Sequence, residues 1–345
     1  MPPHVTPGRT AADADRTPPA ARRQRTCGVS LNPRTARLIA EARDLSLHYG
    51  MRALPTPACS ALGAWFGIRL GQRGHPAADA RARALLRRLR PDLATDPVAL
   101  EDSIQTLWRH VGRTYAEFAA IERIAEEGRT IVNGSDHLNN AYADDRPLIL
   151  CFFHLGNWEV LGQQIARHPL INQGRPFSAL VMPPANRAHA LIAARRRASL
   201  PVNLIPMGRN VWHTVAETLR KPRGIVWLAG DEVVNGQVSA PHFGRPPRTD
   251  GNLGKMVRLA AATGARILPI YNERIGPSRF CSHILPILDM PRGRLTPADI
   301  QAEVMRIDAL FEPIVRRLIT QWYMAIEFGG DTEPARSPAP DLKST

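Results

Sequence analysis

With 345 residues, 44% of them hydrophobic and 22% charged, the chain has material for one large domain or two ordinary ones and reads as globular. A formal net charge of +14 is not ordinary and points to an anionic partner: a membrane surface, a phosphorylated substrate, an acidic carrier protein or nucleic acid. Four cysteines (Cys27, Cys59, Cys151, Cys281) lack CxxC spacing, which excludes a cysteine-based zinc site by pattern and fits a reducing compartment.

Residues 1–36 are rich in Pro, Ala and Arg with few large apolar side chains, and are expected to be disordered. No secretory signal is evident, and Met51 stands as an alternative start. The uncharged stretch ALPTPACSALGAWFGI (53–68) is shorter than the roughly 20 residues that span a bilayer and contains two prolines. From Ser60 on, Leu62, Trp65, Phe66 and Leu70 recur at helical spacing beside Arg69 and Arg73. A basic amphipathic helix lying on a membrane has this pattern, and so has a core helix with a polar back. ADARARALLRRLR (78–90) is a basic helix. Asp96 as N-cap and Pro97 as first residue begin another, whose apolar stripe is Leu100, Ile104, Leu107, Val111, Tyr115 and Phe118. Residues 37–127 are therefore expected to form a helical part, membrane-associating on the first of these two readings.

An α/β domain is expected over 128–328. Short apolar runs LILCFF (148–153), FSALVM (177–182), VNLIPM (202–207), GIVWLA (224–229) and RILPIYNE (266–273) alternate with helices, among them 252–263. That alternation predicts a mostly parallel sheet flanked by helices, whose strands are buried on both faces. HILPIL (283–288) is a candidate further strand, 297–320 a closing amphipathic helix, and 329–345 a disordered tail.

The chemistry concentrates at the end of the first run, in HLGNWE (154–159). On one continuous helix or strand His154 and Glu159 would diverge, so they can meet only across a turn, which Gly156 and Asn157 permit. His154 falls at the C-terminal end of a strand, where open α/β sheets gather their ligand sites. Glu159 falls in the first turn of the next helix, which Asn157 could cap. A carboxylate beside an imidazole fixes its tautomer and raises its basicity, which suits it to take a proton from a hydroxyl. A buried structural histidine and an ordinary first-turn acid fit the same spacing. No G-x-S-x-G elbow, no G-x-G-x-x-G and no recognised nucleic-acid module is present, which disfavours a serine hydrolase, a dinucleotide enzyme and, despite the charge, a nucleic-acid-binding protein.

HLGNWE is an instance of the H-x4-E/D motif of glycerolipid-type acyltransferases. Its Gly-Asn-Trp form resembles the bacterial lipid A biosynthesis acyltransferase family and its phosphatidylinositol mannoside acyltransferase relatives. FGRPPRTDGNLGKMVRLAAATGARILPIYNER (243–274), LAGDE (228–232) and FEPIVRRLITQWYM (311–324) extend the resemblance over roughly residues 45–325. It implies a glycerolipid-acyltransferase-like fold and direct transfer of a fatty acyl chain from an acyl carrier protein or coenzyme A thioester to a hydroxyl of a membrane glycolipid. That enzyme works at the cytoplasmic face of the cell inner membrane, with no metal or cofactor beyond the acyl donor. His154 would be the general base. Glu159 or Asp231, which follows the strand GIVWLA, would orient it, since parts of the wider family use a downstream acid. The oxyanion would be met by backbone N–H groups near Gly156 or by an arginine. Gly156 and Asn157 would bind substrate, and Arg196, Arg197, Arg209 and Arg248 would meet phosphates. Asn186 matches a family Asn-Pro position only partly. The chain departs from the family in a short leader broken by Pro55 and Pro57, and in a closing segment without a His-Arg-Arg cluster. Both leave a different lipid or a secondary metabolite as the alternative acceptor.

Overall fold

The structure, a computed structural model, describes residues 32–329 apart from 144, 170, 172, 173, 183–186 and 199. The N-terminal stretch to 31, the tail from 330 and Asn186 lie outside the described residues. The chain divides after Ala40 into two units; the first helix runs across that division, and all the other elements belong to the second. Helix α1 (Pro33–Ala53) begins three residues before the end of the stretch expected to lack structure.

Six helices make up the N-terminal part: α1, α2 (Thr56–Phe66) with a π-helical turn Gly67–Gln72, α3 (Pro76–Leu89), α4 (Pro91–Ala94), α5 (Pro97–Glu117) and α6 (Ile121–Glu126). As the sequence predicts, Asp96 caps α5 by accepting from Val98 N and Ala99 N, with Pro97 at the first position. The expected stripe on α5 is buried from Leu100 to Val111 but turns outward at Tyr115, 64% exposed. Helices α2 and α5 meet backbone to backbone: a Cβ on Gly67 would lie 2.0 Å from Trp108 O, and one on Gly112 2.1 Å from Gly63 O. With α2 pinned on this side, Trp65 (51% exposed) and Leu70 (62%) lie on the other.

The rest runs β1 (Thr130–Asn133), α7 (Ser135–Tyr142), β2 (Leu148–Phe152), α8 (Trp158–Ala166), β3 (Phe177–Val181), α9 (Arg187–Arg197), β4 (Asn203–Pro206), α10 (Val211–Arg220) and β5 (Ile225–Ala229). It continues with a small hairpin β6 (Val233–Val234) and β7 (Gln237–Val238), then α11 (Asn252–Thr263), β8 (Arg266–Gly276), β9 (Arg279–Ile284) and α12 (Pro297–Arg317). The main sheet has the order β1-β9-β8-β2-β5-β3-β4. From β8 to β4 all neighbours are parallel, while β9 runs against β8 and carries β1 parallel to itself. The sheet is thus mostly parallel and flanked by helices. The candidate strand at 283–288 is displaced: pairing covers Arg279–Ile284, and beyond Pro286 only Leu288 bridges to Ile267.

β2 is buried at every residue, and its alternation decides both layers. Ile149 and Cys151 join the core with α5, α10, α11 and α12, whereas Leu148, Leu150 and Phe152 join the one with α7 and α8. After β2 the chain skips a place to β3, continues outward to β4, returns to insert β5 beside β2, and later adds β8 on the other side. That reversal makes the C-terminal ends of β2 and β5 the switch point of the sheet, where a crevice opens.

Candidate active site

His154 leaves β2, and Asp231 leaves β5, side by side. Nδ1 of His154 lies 2.7 Å from Oδ1 of Asp231, and the His154 backbone N–H donates to Oδ2 at 2.8 Å. The indole Nε1–H of Trp322 donates to the same Oδ2 at 2.7 Å. Asp231 and Trp322 are wholly buried, while the imidazole is partly open and sits edge-on to Trp158, ring centroids 4.9 Å apart. Burial works against a charge on His154, but the Asp231 carboxylate outweighs it, with Glu232 and Glu159 adding to it, so its pKa lies above the ordinary value. Glu232, also partly buried, is pushed above the ordinary carboxylate range, chiefly by burial.

Of the two candidate partners of the imidazole, then, Asp231 touches it. The Glu159 carboxylate instead forms a tight ion pair with Arg197 of α9. The reason is geometric: the first turn of α8 holds Glu159 against Arg197 on the wall of the cleft, while β5 delivers Asp231 to the imidazole.

Between them the turn 154–157 is held from all sides. Gly156 has φ +59°, and a Cβ there would stand 2.6 Å from Asn272 O, so only glycine fits. Gly156 N–H donates to Gln321 O, and Leu155 N–H to Phe153 O. Asn157 caps α8 as expected, accepting from Glu159 N and Val160 N. It is completely buried, and its amide donates to Glu117. This corrects one expectation, since Asn157 has no face to offer a substrate. The N–H groups of Leu155, Gly156, Glu159 and Val160 already have acceptors, which leaves those of Asn157 and Trp158 as the backbone donors near Gly156 for an oxyanion.

His154 opens on a cleft of about 210 Å³ between α8, α9 and β3 to β5. Phe152, Phe177, Leu180, Val202, Leu204 and Trp227 make it apolar, while Glu159, Arg197 and Glu232 place charge at its lining. Such a slot, mostly apolar with a few polar groups converging on an imidazole, suits an acyl chain with a reactive head. Among the described residues no group of three or more His, Cys, Asp or Glu side chains is placed to hold a metal ion.

The model of the family described as bacterial lipid A biosynthesis acyltransferase matches residues 45–326. The chain belongs to this family. It is an acyltransferase, similar at 25% identity over 241 residues to the phosphatidylinositol mannoside acyltransferases of two Mycobacterium tuberculosis strains, H37Rv and CDC 1551, over 68% of this chain and 71% of theirs. Among solved structures, the 1-acyl-sn-glycerophosphate (LPA) acyltransferase of Thermotoga maritima is similar at a TM-score of 0.35 and 12% identity, over 83% of this chain and 99% of that one.

The arginines expected to meet phosphate in this acyltransferase are dispersed. Arg196 is buried and paired with Glu122, which removes it from any substrate. Arg248 pairs with Asp250 and reaches Val234 O. Arg209 is exposed in the bend before α10. Arg197 alone of the four lines the cleft. Sequence reasoning missed Trp322, Glu117 and Arg274. Trp322 carried a signal as part of the closing Trp-Tyr pair, but Glu117 and Arg274 carried none beyond being charges near apolar stretches.

Proposed function

We propose that the enzyme moves a fatty acyl chain from an acyl carrier protein or coenzyme A thioester directly to a hydroxyl of a membrane glycolipid, with His154 as general base. The observation that carries this is the 2.7 Å contact between His154 Nδ1 and Asp231 at the mouth of the apolar cleft. With Nδ1–H donated to Asp231, Nε2 is the nitrogen left to accept a proton. It takes the acceptor's hydroxyl proton as the oxygen attacks the thioester carbonyl. The tetrahedral intermediate collapses with cleavage of the C–S bond, and the thiolate leaves with the proton from His154. Asp231 balances the imidazolium in between. The backbone N–H groups of Asn157 and Trp158 at the start of α8, or Arg197 in the cleft, meet the oxyanion, and Arg197 can meet a phosphate of the donor. The acyl chain gains about 0.8 kcal/mol for each methylene buried in the cleft.

A glycolipid acceptor agrees with the family and with the named mannoside acyltransferase relatives. In a deletion strain, lipid mass spectrometry should recover one acyl mass on the acceptor with the wild-type gene but not with His154→Ala. Equal recovery by both would overturn the assignment of the base.

The enzyme reaches its lipid at the cytoplasmic face of the inner membrane through α2. No helix among the described residues is long and apolar enough to cross a membrane. Trp65 and Leu70 are exposed beside Arg69 and Arg73, an arrangement suited to lying in the headgroup layer of anionic lipid. Trp65→Ser with Leu70→Ser should lower retention on anionic liposomes at unchanged folding. Unaltered retention would place the contact elsewhere, and salt-sensitive retention on nucleic acid without retention on liposomes would favour a different class of partner.

A further inference from the structure

Two segments converge on the Asp231 carboxylate, and one of them is far from the motif. The closing turns Ile319–Gln321 and Tyr323–Ile326 run alongside the catalytic turn. Trp322 bridges Leu155 in antiparallel fashion, and Tyr323 N–H donates to His154 O at 2.9 Å. The main chain therefore fixes where the Trp322 ring stands, and the ring, wholly buried, directs its only polar atom at Oδ2 of Asp231. A tryptophan used for packing alone would be free to face its N–H elsewhere or to be any large apolar residue.

We propose that Trp322 is a positioning residue for the acyl transfer, whose indole N–H holds the Asp231 carboxylate and takes up part of its negative charge, so limiting how strongly that charge binds the proton on His154. The proposal rests on the assignment of His154 and Asp231 as base and orienting acid. Oδ1 of Asp231 meets the imidazole, and Oδ2 accepts both from the indole and from the His154 backbone. If the indole donor is lost, the backbone donor still orients the carboxylate. What is lost is the sharing of charge, so Asp231 acts more strongly on the imidazole. The other charged groups facing His154 are Glu232, Glu159 and, across the cleft, Arg197, while the indole N–H of Trp322 is given to Asp231.

The direction of the effect separates this role from simple support. Loosening the core would weaken the contact of Asp231 with His154 and lower the pH at which the imidazole titrates, as Asp231→Asn must also do. Loss of charge sharing raises it. The test is a pH titration of the histidine imidazole signals in 15N-labelled full-length protein, with the His154 signal among the 11 histidines assigned by its loss in His154→Ala. Trp322→Phe should move the His154 midpoint up by about half a unit or more, and Asp231→Asn should move it down. Because Phe leaves space in a packed core, the same measurement is made with 3-benzothienylalanine in place of Trp322, which keeps the ring's shape and exchanges N–H for sulfur. An upward shift with this isostere supports the proposal. An unchanged or lowered midpoint with the isostere overturns it. If Asp231→Asn itself leaves the midpoint in place, the pairing beneath the proposal fails, and the role of Trp322 fails with it.

Discussion

Asp231→Asn is expected to lower acyl transfer about as far as His154→Ala, on the order of 10² to 10⁴-fold, while Glu159→Gln costs less than about tenfold. An asparagine in place of Asp231 cannot balance the imidazolium, and its amide can donate to Nδ1, which leaves the proton on Nε2 and disables the base. Glu159 touches Arg197 and not the imidazole, so its replacement loosens a partly exposed ion pair at the cleft. The pH dependence follows with a definite sign. On the proposed mechanism transfer needs neutral His154, and burial, which opposes its charge, is outweighed by Asp231, so the proton stays on to a higher pH than the ordinary 6.5. The wild-type rate should therefore rise with pH through a midpoint above 6.5 and fall away on the acid side. In Asp231→Asn the largest favourable partner is gone, burial prevails, and the midpoint of the residual activity should drop. Steady-state rates of the three variants across pH check both statements. A Glu159→Gln enzyme as inactive as His154→Ala, beside a competent Asp231→Asn enzyme, would reverse the assignment.

The same pair marks where the sequence is legible and where it is not. The five runs read as strands are strands; β2, β5 and most of β8 bury apolar side chains on both faces, a local property, whereas β3 is partly buried and the edge strand β4 buries only Ile205. Helix 252–263 was visible to the residue for a similar reason, an apolar periodicity ended by Gly264 in the left-handed conformation. The turn after β2 was legible because glycine and asparagine are rare answers to a specific backbone demand. The partner of His154 was not, because contact with Asp231 depends on β5 returning to lie beside β2, 77 residues on in the chain. Spacing within a motif says nothing about such an insertion, and on spacing the nearer acid fits as well. β1 is not legible because three of its four residues are exposed and it leaves no apolar run. The antiparallel β9 was misplaced by four residues because its polar positions Ser282 and His283 sit among apolar ones, while the apolar stretch after it contains Pro286.

Beneath the catalytic turn a second prediction has nearly as large an effect, on stability. Arg274 of β8 grips Glu117 of α5 through both ends of its guanidinium, at 2.5 and 2.8 Å, with both side chains almost completely out of solvent. Burial works against charge on Glu117, but Arg274 outweighs it and holds its carboxyl below the usual range. Ser60 of α2 donates to the same carboxylate at 2.6 Å and Asn157 at 3.0 Å, and Asn272 beside Arg274 donates to Asn157 O. One ion pair thus joins the outer helix α2, the long helix α5, the sheet and the turn that carries His154. Ser60 and Asn157 donate to different oxygens of Glu117, so Glu117→Gln keeps an oxygen for only one of them and leaves a guanidinium in the core without its counter-charge, which should cost about 3–5 kcal/mol. For a chain of this size that is a fall in melting temperature on the order of 10 °C. Arg274→Met alone should cost less than Glu117→Gln, since the remaining carboxyl keeps two donors and can neutralise by taking up a proton. Combining the two removes both charges while keeping the amide oxygen, and should recover more than half of the loss seen in Glu117→Gln. Calorimetric melting of the two single variants and the double variant measures this directly. Single costs below about 1 kcal/mol, or a double variant no better than Glu117→Gln, would mean that the pair is not what holds the turn.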